Sequence, residues 1–164
     1  MKKSSGVSNH YIMKTLKKMQ VSKLFMGVYS SNNINIPLLK EKEEFIIICN
    51  LSKQDKIGSH FITVVSNKKQ LLYIDSLGLP SSLSKELYNS LKLLRKKVTT
   101  LNHRPIQAPD SVFCGIYAIF YSIFFDYIRF PIIKNQKAFL KHDLYKNDEI
   151  CLHNIKKIIK LNAV

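Results

Sequence analysis

The stretch Ser111–Phe125, SVFCGIYAIFYSIFF, constrains the fold more than any other part of the chain. From Ile116 to Phe125 every position but Ser122 is apolar or aromatic. A helix built from it has no polar face to turn toward water, so it belongs at the centre of the packing. It is too short for a membrane span, which takes about 20 apolar residues. Two features are not needed by a buried helix. The run opens with Cys114-Gly115, and Gln107, Pro109 and Asp110 stand just before it.

Strands and amphipathic helices must cover such a helix. Residues 9–20 read as a short helix with Tyr11, Leu16 and Met19 on one face. LFMGVYSSNNINIP reads as a short extended piece breaking into a polar turn. EEFIIICN is a continuous apolar, β-branched run and predicts a buried strand. HFITVV and QLLYID predict two more strands, joined by the turn SNKK. SLSKELYNSLKLLRKK predicts a helix with Leu87, Leu91 and Leu94 inward and Ser82 or Ser84 as its cap. VTTLN predicts a strand and HRPIQAPDS a loop. The apolar helix should then end before Pro131. NDEICLHNIKKIIKL predicts a last helix with Asp148 and Glu149 in its first turn. The expected architecture is α+β, a single domain over 1–164, with three or four strands against the apolar helix.

Lys and Arg number 26 against 11 Asp and Glu, a net charge of +15. The excess favours a polyanionic partner, nucleic acid above all; a solvated lysine coat without a specific partner competes with that reading. Cys49, Cys114 and Cys151 form no regular framework and no Cys-x-x-Cys pair, which argues against disulfides and structural zinc. The N-terminal MKKSSGVSNHYIMK lacks an apolar signal-peptide core, so a soluble, intracellular protein is expected.

Cys114 falls where unpaired helix N–H groups and the macrodipole favour a thiolate. Taken alone, it reads as a small residue packed at a helix start. Gly115 would remove a side chain and let a substrate backbone approach. A nucleophile needs a base, and the candidates are His10, His60, His103, His142 and His153. His60 opens a strand and can face a cleft while held rigidly; His103 is the second candidate. Asp75 ends the next strand. A hairpin would bring it beside His60 to orient the imidazole. Gln107 and the Cys114 N–H are candidate donors to an oxyanion. The order His, Asp, Gln, Cys-Gly makes the four residues stronger together than singly.

GSHF, YIDSLG and IQAPDSVFCG, in that order, resemble the adenovirus-type (adenain-like) cysteine endopeptidases. These share a clan with the SUMO and ubiquitin-like protein proteases. The resemblance runs from Leu24 to Pro131. It implies a papain-like-clan fold with a central apolar helix on a small mixed sheet. It implies Cys114 as nucleophile, His60 as base, Asp75 as third member and Gln107 as oxyanion donor. It further implies a thiol endopeptidase of viral or virus-like mobile-element origin, acting as a monomer. Such an enzyme cuts structural precursor proteins after small residues during particle maturation, in the virion and in the host nucleus or cytoplasm. DNA and an activating peptide are its implied cofactors, with no metal and no membrane partner; duplex DNA would bind without sequence preference. Phe61 stands where the family usually has Trp, and Asp75 where adenovirus enzymes have Glu. Two other readings remain: a deubiquitinase or deSUMOylase isopeptidase, and a basic nucleic-acid-binding protein without catalysis.

Overall fold

Side-chain alternation along the strands sorts the core into two halves, one on each face of a sheet. The computed structural model describes residues 6–18, 24–52, 60–128 and 143–161. Its sheet has five strands in sequential order: β1 (Phe25–Ser30), β2 (Phe45–Asn50), β3 (Phe61–Ser66), β4 (Gln70–Ile74) and β5 (Lys97–Thr100). The outer pairs β1–β2 and β4–β5 are parallel, and the inner pairs are antiparallel. Each parallel pair needs a crossover. The helix α2 (Ile36–Lys40) lies in the first and α3 (Lys85–Lys92) in the second.

Both crossovers cover the same face. Leu39 of α2, with Leu87 and Leu91 of α3 and Leu94 just beyond it, packs on Phe45, Ile47, Ile62, Val64, Leu71 and Tyr73. The opposite face, carrying Ile46, Ile48, Phe61, Val65, Leu72 and Ile74, meets α1 (Asn9–Lys18), α4 (Cys114–Ile128) and α5 (Leu144–Leu161). Strands β2 and β3 are buried along their whole length. That is why EEFIIICN shows no polar alternation. The helix α4 packs across β3 and is flanked by α1 and α5. The apolar helix is thus central, and the mixed α+β class expected from the sequence is the one observed.

Three expectations are corrected. The sheet has five strands, not three or four. The polar turn after β1 leads into α2, because Asn35 Oδ1 accepts from Leu38 N–H at 3.2 Å and Pro37 suits a first turn. The last helix begins at Leu144, capped by Asp143, whose carboxylate accepts from Lys146 N–H at 3.1 Å. Asp148 therefore lies one turn further in and is buried, not exposed at the helix start. Ser84, the second of the two serines considered, is the α3 cap. The expected stop before Pro131 lies outside the described residues.

Candidate active site

At one end of the sheet, three chain segments converge. His60 immediately precedes β3, Asp75 immediately follows β4, and Cys114 opens α4. His60 Nε2 lies 2.7 Å from Asp75 Oδ1. A carboxylate only accepts, so Nε2 carries the proton, and Nδ1 is left for the Cys114 thiol, to which His60 is also hydrogen-bonded.

Asp75 is fully buried, and its surroundings explain how a carboxylate is kept there. Leu77 N–H donates to Oδ1 at 2.7 Å, and the Tyr73 hydroxyl to Oδ2 at 3.4 Å. Asp75 N–H donates to Asn102 Oδ1 at 3.3 Å, and Asn102 Nδ2 donates back to the Asp75 carbonyl. The chain then turns at Gly78, whose N–H donates to the Asp75 carbonyl at 2.9 Å. With φ +69, Gly78 lies in the left-handed region, and an added Cβ would strike the Arg104–Pro105 backbone.

Electrostatics follow from this geometry. Burial alone would lower the His60 pKa. The hydrogen bonds to Asp75 and Cys114 and their charges outweigh it and raise the pKa from 6.5 to about 9. Burial alone would raise the Cys114 pKa, yet it is lowered. His60 does most of this, aided by backbone N–H donation from Phe61 and Gly115 to the sulfur. Cys114 is half-buried. Cys49 and Cys151 are wholly buried, and burial pushes both thiols far up. One thiol of the three is therefore poised as a thiolate.

Gln107 is buried on the loop leading to α4. Its Oε1 accepts from the Ser76 hydroxyl at 2.6 Å, and its Nε2 donates to the Ser111 carbonyl at 3.0 Å. Nε2 has a second hydrogen, which finds no partner among the described residues. The Ser76 carbonyl also receives the backbone N–H groups of Ile106 and Gln107, at 2.8 and 3.0 Å. Ser76 follows Asp75, so the turn that carries the carboxylate also holds the glutamine.

The structure thus brings His60, Asp75 and Cys114 into direct contact and ties Gln107 to the same turn. His103, His10 and His153 are exposed, and His142 lies outside the described residues. Gly115 is not open to a substrate backbone. An added Cβ would overlap Val7 Cγ2 and come within 3.3 Å of Ile12 Cδ1 and Phe61 Cδ2. Gly115 is small because the segment before α1 crosses the start of α4. Sequence reasoning missed Asn102 and Ser76; the neighbouring His103 and Asp75 drew attention instead.

A cleft of about 380 Å³ opens beside His60, walled by Leu51, Leu77, Leu79 and Leu83, with Ser84 and Glu86 at its edge. Among the described residues no cluster of His, Cys, Asp and Glu could hold a metal ion, and no helix is long and apolar enough to cross a membrane.

No protein-family model and no curated protein matches the chain. Solved structures do match. The chain has the fold of ChlaDub1. This Chlamydia trachomatis protein superposes with a TM-score of 0.51 at 14% identity, over 95% of this chain and 80% of that one. A second structure of the same bacterium's effector protein ChlaDUB1 gives 0.51 at 13% identity, over 95% and 74%. A de-sumoylating protease matches at 16% identity over 94% and 81%, with a TM-score of 0.47.

Proposed function

We propose that the chain is a thiol hydrolase of peptide or isopeptide bonds. The observation that carries this is the hydrogen-bonded series Asp75–His60–Cys114, set at the start of a buried helix. Cys114 attacks the carbonyl carbon as a thiolate. The oxyanion is met by the second N–H of Gln107 Nε2 and by the Cys114 backbone N–H. The His60 imidazolium gives its proton to the leaving amine. His60 then takes a proton from the water that hydrolyses the thioester, and Asp75 keeps its ring in the required tautomer. The leucine-walled cleft beside His60 suits an apolar side chain of the substrate.

For the substrate we favour structural precursor proteins of a virus or virus-like element, cut after small residues. The order of GSHF, YIDSLG and IQAPDSVFCG supports it. The fold shared with ChlaDub1 favours the isopeptidase alternative. Both use the same four residues. The test is reaction with C-terminal electrophile probes built on ubiquitin and SUMO, beside a panel of peptides with small residues before the scissile bond. Turnover of the peptides without capture of the probes supports the precursor protease; the reverse makes the chain an isopeptidase. Cys114→Ala should abolish either reaction and leave the fold intact. Full activity in that variant would overturn the hydrolase reading.

A further inference from the structure

The C-terminal helix α5 reaches the loop that carries Gln107. Asn147 and Asp148 are both buried there, at 0 and 3% exposure. Asn147 Nδ2 donates to the Ile106 carbonyl at 3.1 Å, and the Tyr117 hydroxyl of α4 lies 3.0 Å from the same oxygen. Ala108 N–H donates to Asp148 Oδ1 at 3.4 Å, and Tyr117 lies 3.0 Å from that oxygen as well. The backbone is therefore gripped on both sides of Gln107, at Ile106 and at Ala108. At the exposed end of the loop, the Tyr145 hydroxyl donates to Asp110 at 2.9 Å.

Tyr117 has one O–H and two acceptors at equal distance, so its hydroxyl ties the Ile106 carbonyl to Asp148 Oδ1. Burial, the largest influence on Asp148, raises its pKa, and the hydrogen bonds from Tyr117 and Ala108 act against that. Ser111 Oγ and Asp148 Oδ2 are both buried here, and neither has a hydrogen-bond partner among the described residues. A buried polar group without a partner is costly, so this cluster serves more than packing.

We infer that Asp148 and Tyr117 are positioning residues: they clamp the loop on both sides of Gln107 and so fix the oxyanion donor. This rests on the hydrolase reading above. Neither residue contacts Cys114 or His60 among the described hydrogen bonds, so the clamp acts on the transition state and not on the thiolate.

The test compares Asp148→Ala, Asp148→Asn and Tyr117→Phe with the wild-type chain. Three quantities are read: kcat and KM, affinity for a peptide aldehyde, and the rate of Cys114 alkylation by iodoacetamide. The aldehyde forms a tetrahedral adduct and needs the oxyanion donors; alkylation does not. Asp148→Ala and Tyr117→Phe should lower kcat and aldehyde affinity by about 10- to 100-fold, within the roughly 10²–10³-fold cost of losing a donor outright. KM and alkylation should stay near wild type, and Asp148→Asn should recover most of the loss. Hydrogen exchange of the Ile106, Gln107 and Ala108 amides reads the clamp without turnover and should quicken in Tyr117→Phe. Should Asp148→Ala fail to fold, Tyr117→Phe decides, because it removes one oxygen and keeps the ring packed. Wild-type kcat and aldehyde affinity in that variant would overturn the inference, as would a fall in alkylation parallel to kcat. An inactive wild-type chain with protected loop amides would count against the hydrolase and take the clamp's catalytic part with it. An active wild type with unaltered variants would count against the clamp alone.

Discussion

At the scale of single residues, the His60–Cys114 pair sets the response to pH. The His60 pKa is raised to about 9 and that of Cys114 is lowered, so between the two the pair is imidazolium and thiolate. Below the lowered thiol value the sulfur is protonated and reactivity falls. Above about 9 the imidazole loses the proton that the leaving amine needs. Iodoacetamide alkylation of Cys114 should therefore rise on an acid limb below the ordinary thiol value of about 8.5 and then hold. The kcat/KM profile should fall again near the His60 value. An acid limb at the free-thiol value would mean that no ion pair forms. Linkage gives the sign for stability. A His raised on folding stabilises fully below its unfolded value of about 6.5, and that contribution is lost as pH rises through about 9. His60, Asp75 and Cys114 were marked as candidates in the sequence by their places at strand and helix ends, and Gln107 by the loop just ahead of Cys114. Asn102 and Ser76 were not. Their task is to satisfy Asp75 and Gln107 across 27 and 31 residues of chain, and no local pattern marks that.

At the scale of elements, strands were easier to read than helix boundaries. The continuous apolar run 45–49 suits a strand covered on both faces, and the structure buries it so. The helix α2 has five residues, too few for a periodic signal, and depends on its Asn35 cap. The start of α5 was misplaced because Asp148 suits a first turn by charge, whereas burial beside Tyr117 is what holds it. The start of α4 depends on the segment before α1, since Val7 fills the space over Gly115. Gly115→Ala should gain about 1 kcal/mol of helix propensity. It should lose more, since overpacking a tight site costs about 1–3 kcal/mol. We expect a lower urea midpoint for Gly115→Ala and partial recovery in the double variant with Val7→Ala, because the overlap is with a stiff β-branched side chain. A Gly115→Ala protein as stable as wild type would show that Val7 does not press on the helix.

At the scale of the whole molecule, the net charge of +15 is distributed over several elements. Lys14, Lys17 and Lys18 on α1, Lys92 and Lys97 flanking the end of α3, and Lys156, Lys157 and Lys160 on α5 are all exposed. Lys96 is not part of this set. Its ammonium is spent on the Glu43 and Asn67 carbonyls and the Ser66 hydroxyl, at 2.6, 2.9 and 2.7 Å. The exposed lysines lead us to expect binding of duplex DNA through phosphates, without sequence preference. In a salt titration, log K should fall against log salt with a slope of about −0.9 per phosphate neutralised. No binding at low salt, and hydrolysis indifferent to added DNA, would reduce the lysines to a solvated coat. The chain order of the site has a different consequence. His60 and Asp75 are 15 residues apart and meet through the β3–β4 hairpin, a contact of short sequence separation. Cys114 joins them only when α4 docks across the finished sheet, with Val7 laid over it from the other end of the chain. The contact that lowers the Cys114 thiol thus depends on the same docking of α4 that closes the core, and a copy in which α4 is undocked lacks it.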